Sequence, residues 1–409
     1  MLKIQNYNFF SNATKKSINF AMFMQKAEYE EILEYLRGVI SGTKWEGKVY
    51  VVGGCLRDML MGHEIHDVDL AVALPDGGVQ FPIWLEQEGL TAEPPKLYRR
   101  FSSSKLRLKA FPQHEIEVVQ TRREQYTDAN SRNPEVCFGS IMDDCLRRDL
   151  TINSLYLNVT TGEMLDLTGR AIDDIKNHRI MTPMEPGETY SDDPIRILRT
   201  LRFAVRYGWE IPDEIMKSMK DNAQRIKIVR RPRVATEFGK IMESNDPVAT
   251  LQLMKQVGVV FRVVPELCHL FKVKDHSLRE KVGPNGKLPT LWDVTMENLA
   301  QAGDSLAERY AALFSKFNRV KLPYKDLPKK AREGKEKNRG HGTGAIVTTA
   351  LKRLMYDYDF IREVKSLMPG LKPGDLDDRI EVKRKRKKKR RRRNGRKRDD
   401  AARKAEPTA

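Results

Sequence analysis

The stretch VVGGCLRDMLMGHEIHDVDLAV, residues 51–72, decides how the rest of the chain is interpreted. An apolar strand runs into Gly53 and Gly54, whose missing side chains let backbone N–H groups approach an anion closely. A short helix is predicted to begin near Cys55, and a helix N-terminus favours phosphate. Arg57 follows in the first turn of that helix and can add a bidentate contact. The turn is therefore predicted to bind a triphosphate.

Two carboxylates follow at the start of the next predicted strand. Asp67 and Asp69 flank Val68, and side chains two positions apart on a strand point to the same face. We expect them to converge on one point, with oxygen ligands suited to a hard cation such as Mg²⁺. Either half alone would be typical of an ordinary turn or a solvated acidic pair. The order strand, glycine turn, helix, acidic pair and strand predicts a metal–triphosphate site.

These residues resemble the head motif of the class II nucleotidyltransferases, which comprise the CCA-adding tRNA nucleotidyltransferases and the bacterial poly(A) polymerases. Three later segments match in the family's order. They are similar to its ribose-recognition motif (RRDLTINSLYLN, 147–158), its hinge (DLTGRAIDDIKNHRI, 166–180) and its base-reading helix (SDDPIRILRTLRFAVRYGW, 191–209). The resemblance extends from about residue 48 to 270 and is degraded beyond that.

The resemblance implies two-metal nucleotidyl transfer, in which carboxylates hold two divalent ions against the attacking and leaving oxygens. Asp67 and Asp69 would be the principal ligands. The family's third acidic residue corresponds to Glu117, with Glu115 on the same strand face as the alternative, and an ordinary exposed strand charge also fits. Asp69 or Glu117 would help deprotonate the attacking 3′-hydroxyl, and the sequence singles out no general base.

The resemblance also assigns Arg148 and Asp149 to nucleotide binding. Arginine suits phosphate and aspartate suits the ribose hydroxyls. The alternative is that Arg148 only forms an ion pair near a helix end, with Asp143 or Asp144. Together with Gly54 and Arg57, these two residues complete the predicted sugar–phosphate contacts.

A helix predicted over 192–207 carries its charged side chains on one face, namely Asp193, Arg196, Arg199, Arg202 and Arg206. In the family, the residues matching Asp193 and Arg196 read the base. An Asp–Arg pair can accept from the amino group of cytosine or adenine and donate to the adjacent ring nitrogen, whereas uracil and guanine present the reverse. Arg199 and Arg202 are expected to bind the triphosphate. Asp192 replaces the family's glutamate, which predicts a less rigid template with unchanged base choice.

The predicted fold class is α+β: a small mixed nucleotidyltransferase sheet with flanking helices, then all-α neck and body domains and a disordered basic tail. The predicted bounds are an N-terminal extension (1–26), the head (27–182), a helical neck (183–272), a helical body (273–370) and the tail (371–409). Residues 124–140 are polar and broken by proline and glycine, which predicts a flexible loop. A hairpin at LYLNVTTGEMLDL, 155–167, is expected to close the head.

The positive charge is concentrated at the C-terminal end. The formal charge is +18, and residues 383–398 supply 14 lysines and arginines with no acid, which leaves +4 elsewhere. Such a run cannot pack and is expected to be disordered. It would bind RNA through counterion release, with nuclear import and simple solvation as alternatives.

Several classes of protein are disfavoured. Four cysteines lack metal-site spacing, which predicts reduced thiols in a cytoplasmic protein, and no apolar run has membrane-spanning length. The first 25 residues are interpreted as an extension, with a weak targeting arm as the alternative. The oligomeric state is not indicated.

Residues 290–350 vaguely resemble the HD-type hydrolase domain that many family members carry. Where a His–Asp pair would follow a helix, this chain has LFSKFNRV (313–320), and His341 stands without partners. We therefore expect an RNA-binding or structural remnant with no phosphohydrolase activity.

The function predicted from these patterns is addition of nucleotides from CTP and ATP, with Mg²⁺, to the 3′ end of tRNA. A poly(A) polymerase or A-adding enzyme shares the head motifs and remains the alternative. A catalytically inactive RNA-binding protein is the competing interpretation from another class.

Overall fold

The computed structural model describes residues 20–63, 65, 67–125, 135–271, 273, 289–319, 343–368 and 371. Most of the predicted N-terminal extension, His341 and all of the predicted tail except Leu371 lie outside these residues. The chain divides into two compact units. One comprises Met1–Arg230 with Leu253–Val259, and the other Arg231–Gln252 with Val260–Ala409.

The order of elements is a mixed sheet with flanking helices followed by a helical region, as predicted. The strands are β1 (Val49–Val52), β2 (Val68–Val72), β3 (Lys96–Tyr98), β4 (Ser103–Leu108), β5 (Phe111–Gln120), β6 (Arg122–Gln125), β7 (Glu135–Phe138), β8 (Leu155–Asn158) and β9 (Met164–Asp166). The helices of the first unit are α1 (Phe20–Ile40), α2 (Gly54–Met61), α3 (Gly77–Gln87), α4 (Ile141–Leu146), α5 (Ala171–Lys176), α6 (Pro186–Asp192), α7 (Ile195–Tyr207) and α8 (Asp213–Asn222). Those that follow are α9 (Arg231–Glu243), α10 (Pro247–Val257), α11 (Val260–Val263), α12 (Leu291–Ala300), α13 (Leu306–Phe314), α14 (Thr343–Arg353) and α15 (Tyr358–Leu367).

Within the described residues, the head sheet has seven strands in the order β3-β4-β5-β2-β1-β8-β9. Among these seven strands, β2 and β5 pair in parallel and the other neighbouring pairs are antiparallel. The register sets Asp69 of β2 opposite Glu117 of β5, and Glu117 opposite Lys105 of β4. The predicted hairpin at 155–167 is present as β8 and β9.

The two faces of the sheet differ in what covers them. On one face Val68, Leu70 and Val72 join the main hydrophobic core, together with apolar side chains of α1 and α3. On the other face a small cluster around Tyr50 and Tyr156 covers the region of β1 and β8. This second face also carries polar side chains on β2, β5, β4 and β3, and Asp69, Glu117, Lys105 and Lys96 are at least partly exposed there.

The prediction that 124–140 is a flexible loop is wrong for its two ends. Residues 122–125 and 135–138 form the antiparallel pair β6–β7, in which Arg123 lies opposite Cys137. Residues 126–134 are outside the described part of the chain. The alternation of β-formers in EVCF follows strand spacing, and the proline that suggested a loop lies just before it.

The helix predicted over 192–207 is also wrong at its start. α6 ends at Asp192 and α7 begins at Ile195, with Asp193 extended between them at φ −134° and ψ 91°. Pro194 explains the break, since its ring disfavours helical backbone at the preceding residue. Asp193 therefore lies in a connection, one residue before Pro194.

In the second unit, α12 and α13 each begin with a capping box, at Thr290 with Asp293 and at Ser305 with Glu308. The segment LFSKFNRV starts in the last turn of α13, and its Leu313, Phe314 and Phe317 are buried. These side chains serve the apolar core of this unit. No helix in the described part of the chain is long and apolar enough to span a membrane.

Candidate functional site

The glycine turn is where three segments of the head meet. Gly53 has φ 81° and ψ −140°, a conformation that side chains rarely adopt, and it is the N-cap of α2. A Cβ atom there would lie 3.4 Å from Asp69 Oδ2 and 3.6 Å from Arg148 Nη1. These distances are ordinary van der Waals contacts, so it is the backbone conformation at φ 81° that favours glycine at this position. The glycine turn, β2 and residues 147–149, which we call the RRD segment, converge at this point.

Asp69 and Glu117 are neighbours on the polar face of the sheet. They are directly opposite in the parallel register, so their side chains share a face. Lys105 Nζ lies 4.0 Å from Glu117 Oε2 and 2.6 Å from Glu115 Oε1. Of the two glutamates that the sequence left open, Glu117 is the one beside Asp69, and Glu115 is held by Lys105.

The charge on Asp69 is unfavourable in this position. Burial, together with the nearby carboxylates of Glu117 and Asp67, raises the pKa of Asp69 to about 6 against the opposing charges of Arg148 and Lys105. A divalent cation would relieve this repulsion, because it adds positive charge where carboxylates accumulate. The donor set therefore fits a hard cation in its chemistry.

The three predicted catalytic carboxylates are not assembled into a complete metal site. Asp67 is exposed and precedes β2, whereas Asp69 is half-buried within it. Among the described residues, no three His, Cys, Asp or Glu side chains are placed to hold one ion. Asp69 and Glu117 are the pair that the sheet itself fixes.

Arg148 forms the ion pair that was the alternative to nucleotide binding. Its Nη2 lies 3.0 Å from Oδ2 of the buried Asp144, and its Nε donates to Tyr156 Oη at 3.1 Å. Burial opposes ionisation of Asp144, but Arg148, Arg147 and the bond from Tyr156 outweigh it and hold its pKa far below the usual range. Arg148 is therefore anchored beneath Gly53 with its Nη1 beside the turn.

Asp149 is bound to the helix that carries the predicted base-reading residues. Arg199 Nε donates to Asp149 Oδ2 at 2.7 Å, and Asn153 Nδ2 donates to Oδ1 at 3.0 Å. Burial would raise the pKa of Asp149, but Arg199 and Asn153 hold it well below its usual range. Asp149, which the sequence assigns to the ribose, and Arg199, which it assigns to the triphosphate, therefore form an ion pair with each other.

Arg57 is buried within the same network. Its Nη2 lies 2.8 Å from Asp58 Oδ2, its Nη1 donates to Asn153 Oδ1, and its guanidinium lies over the rings of Phe203 and Tyr207. Asn153 therefore connects Arg57 to Asp149. Arg57 of α2 therefore contacts the aromatic side chains of α7, and Gly54 lies against its guanidinium.

The predicted base-reading pair lies at the start of α7. Arg196 is buried, and its Nη1 donates to the carbonyl of Thr189 at 3.2 Å and its Nη2 to that of Arg147. Burial raises the pKa of Asp192, against the opposing charge of Arg196. Arg202 lies over the ring of Phe203 at 4.6 Å. The structure thus brings Arg196 and Arg199 to the RRD segment, while Arg202 lies further along the helix.

Three supporting residues were missed from sequence, namely Glu124, Asn153 and Tyr156, whereas Asp144 was already named there as a possible partner of Arg148. Glu124 contacts Arg122 at 2.8 Å, Arg147 at 3.5 Å and Arg196 at 4.0 Å. A detectable signal was the spacing of acid and arginine in MDDCLRRD, which is typical of pairs one helical turn apart. Contacts such as those of Arg57 with Asn153 and of Glu124 with Arg196 join residues far apart in sequence, which no local pattern indicates.

Comparison with known proteins identifies the two parts of this arrangement. The family described as "Poly A polymerase head domain" matches residues 49–181, which hold the sheet and the site. The family described as "Probable RNA and SrmB- binding site of polymerase A" matches residues 208–271. Residues 49–181 therefore belong to the poly A polymerase head-domain family, and residues 208–271 match the family of its probable RNA-binding region.

The similar proteins include both CCA tRNA nucleotidyltransferases and a poly(A) polymerase. The chain is 34% identical over 224 residues to the mitochondrial CCA tRNA nucleotidyltransferase of Saccharomyces cerevisiae, covering 50% of this chain and 40% of that protein. It is 28% identical over 281 residues to poly(A) polymerase I of Haemophilus influenzae, covering 66% of this chain and 58% of that protein. The chain thus spans roughly half the length of these relatives.

The same fold occurs in a solved CCA-adding enzyme in its apo form I. The TM-score is 0.57 at 21% sequence identity, covering 86% of this chain and 72% of that one. This likeness supports the fold, a mixed-sheet head followed by helices.

Proposed function

We propose that this protein adds nucleotides from CTP and ATP to the 3′ end of tRNA by Mg²⁺-dependent nucleotidyl transfer. The observation that supports the proposal is the pairing of Asp69 with Glu117 on the polar sheet face, beside the glycine turn at Gly53. The named activity of the yeast relative supplies the substrate class.

The chain's own residues have distinct tasks in this proposal. Asp69 and Glu117, joined by Asp67, would hold divalent cations, which stabilise the attacking 3′-hydroxyl and the leaving pyrophosphate when bound. Backbone N–H groups at Gly53 and Gly54, with Arg148 beneath them, position the phosphates. Arg199 and Arg202 bind the triphosphate, Asp149 the ribose, and Asp193 with Arg196 the base.

Addition of AMP alone is the second candidate. It is favoured by the match of the head to the poly A polymerase family and by the poly(A) polymerase of Haemophilus influenzae among the relatives. Nothing in the head distinguishes the two, because both reactions use the same nucleotidyl transfer to a 3′-hydroxyl. A cytoplasmic location stays a prediction, and the yeast relative is named as mitochondrial.

The deciding experiment supplies tRNA lacking its last three nucleotides, with CTP and ATP offered separately and together. A CCA-adding enzyme incorporates two C residues from CTP alone and a single A only after them. A poly(A) polymerase extends with ATP alone and without a fixed length.

Asp69→Ala should abolish either activity while RNA affinity stays within a few fold, because this carboxylate lies outside residues 208–271, which match the RNA-binding family. Retention of more than a few per cent of activity by Asp69→Ala would refute the site assignment.

A further inference from the structure

The polar face of the sheet carries one row of side chains across four strands. Asp69 lies opposite Glu117, Glu117 opposite Lys105, and Lys105 opposite Lys96, so all four side chains share a face. Three strand spacings separate the ends of the row, a distance of about 14 Å. The charge changes along it from negative at β2 and β5 to positive at β4 and β3.

Beyond Lys96 the row continues into a surface that we call the hairpin patch, defined by Lys96, Tyr98, Arg99, Arg100 and Phe101. Tyr98 is 45% exposed and Phe101 is 60% exposed, and Arg100 lies over the Phe101 ring at 6.0 Å. All three cations are exposed, and none takes part in an ion pair within the described residues. The segment KLYRRFSSSKLR, 96–107, contains no acid. Two exposed rings interleaved with cations are unusual on a surface with nothing to bind.

The hairpin patch is held rigidly. Ser102 closes its turn in the left-handed conformation at φ 41°, and Gln120 N donates to the Ser102 carbonyl at 3.0 Å. Gly78 of α3 approaches that carbonyl so closely that a Cβ would lie 1.9 Å from it. The rings and cations therefore project from a turn fixed to β5 and α3, which reduces the entropy lost when they bind a ligand.

We propose that the hairpin patch binds the unpaired nucleotides that precede the 3′-hydroxyl of the RNA substrate, a proposal that rests on the proposed function. A strand whose 3′ end reaches Asp69 must keep its earlier phosphates away from the carboxylates, and the row places cations one to three strands away. Bases stack on exposed aromatic rings without regard to sequence, and cations follow the backbone. Tyr98 and Phe101 supply the stacking surfaces, and Lys96, Arg99 and Arg100 supply the charge.

The test measures binding of a fluorescent single-stranded RNA hexamer to the full chain, with no nucleotide or Mg²⁺ present. Tyr98→Ala/Phe101→Ala should raise the Kd by about thirtyfold or more, because two stacking surfaces are lost. Arg99→Glu/Arg100→Glu should weaken binding and reduce the slope of log Kd against log salt by about 1.4. Tyr98→Phe/Phe101→Tyr is the control that keeps both rings, and it should bind RNA like wild type. Unfolding caused by substitution at these positions would instead weaken binding by this variant too.

The matched charge control is Lys48→Glu/Lys109→Glu, two exposed lysines of the same unit outside the hairpin patch. If this control weakened RNA binding as much as the patch variant, binding would depend only on the overall charge of the protein, and the proposal would be overturned. In turnover assays the patch variants should raise the KM for RNA and leave the KM for nucleotide within twofold. A raised nucleotide KM with unchanged RNA binding would instead assign the patch to the triphosphate.

A cross-linking measurement gives an independent result. RNA carrying 4-thiouridine one to three nucleotides from its 3′ end should cross-link to residues 96–101, and the absence of cross-links there in RNA-saturated protein would reject the proposal. The two proposals fail separately. Wild-type protein that binds RNA through the patch but transfers no nucleotide would disprove the function alone, and active protein indifferent to the patch variants would disprove the patch alone.

Discussion

At the scale of single residues, Asp69 is placed where its charge costs folding energy. Burial and the opposing carboxylates raise its pKa to about 6, above the value of about 3.9 in an unfolded chain. The folded protein therefore binds more protons than the unfolded chain between about pH 4 and pH 6, and the ionised form is destabilising above that range. A residue that holds cations during a reaction is expected to carry such a cost in their absence.

This cost predicts the effect of Asp69→Asn on stability. In EDTA at pH 7.5 the variant should be more stable than wild type by about 1–3 kcal/mol, and the difference should disappear as the pH falls below about 4. Mg²⁺ should stabilise wild type more than the variant. Denaturant titration over a pH series measures this, with Glu86→Gln, an exposed carboxylate of α3 away from the site, as the control that should change little. Equal stability of Asp69→Asn and wild type at pH 7.5 would contradict the electrostatic account.

Asp193, the proposed base-reading residue, gives a second prediction at this scale. Asp193→Ala should remove the acceptor for the amino group of cytosine or adenine, and a bidentate contact contributes about 1–3 kcal/mol of discrimination. Misincorporation of UTP relative to CTP should then rise about ten- to a hundredfold. The measurement is kcat/KM for all four nucleotides, with the exposed Asp213→Ala as control. An equal loss for every base would mean that Asp193 positions the nucleotide without reading it.

At the scale of elements, α4 organises the RRD segment through one buried carboxylate. Asp144 accepts bonds from Arg147 Nε at 3.0 Å, Arg148 Nη2 at 3.0 Å and Tyr156 Oη at 2.5 Å. Removal of one partner from a buried charge pair leaves the others unpaired. α4 therefore determines where Arg148 lies beneath the glycine turn.

Asp144→Asn should destabilise the protein by about 3 kcal/mol at neutral pH. The pKa of Asp144 is lowered in the folded state, so its stabilisation is fully present above the unfolded value of about 4 and is lost as the pH falls below it. The difference between wild type and variant should thus be constant above pH 5 and shrink in acid. The neighbouring Asp143→Asn, which removes only the partner of Ser140 in the capping box, should cost about 1 kcal/mol. If the stability difference between wild type and Asp144→Asn grew as the pH fell, the pKa of Asp144 would be raised and not lowered in the folded state.

At the scale of the whole molecule, the charge balance separates the catalytic head from the C-terminal run of cations. The 14 basic residues at 383–398 are outside the described structure and carry most of the net charge of +18. Truncation after Glu381 should weaken RNA binding and flatten its salt dependence, while turnover on saturating tRNA survives. Kd measured from 50 to 300 mM salt tests this, on a scale of about 0.7 to 0.9 log units per phosphate contact. An unchanged slope would leave the tail with targeting or solvation only.

The sequence by itself determined the features that depend on neighbouring residues. The glycine turn before α2, the acidic pair at β2 and the β8–β9 hairpin follow from local conformational preference and strand alternation, so they were predictable. The break before α7 was also local, since Pro194 dictates it, and the helical periodicity of the arginines obscured it. The three-residue strand β3 was too short for periodicity to indicate it.

Only the tertiary structure decided which of these residues meet. Glu117 rather than Glu115 lies beside Asp69 because of the β2–β5 register, and parallel strands are paired across a long connection. Asp149 binds Arg199 across 50 positions, a contact that depends on how α7 packs on the head. Sequence patterns report the conformation of a segment, whereas ion pairs and registers depend on the packing of segments far apart in the chain. The chemistry of the site was therefore visible in the sequence, and its geometry was decided by the fold.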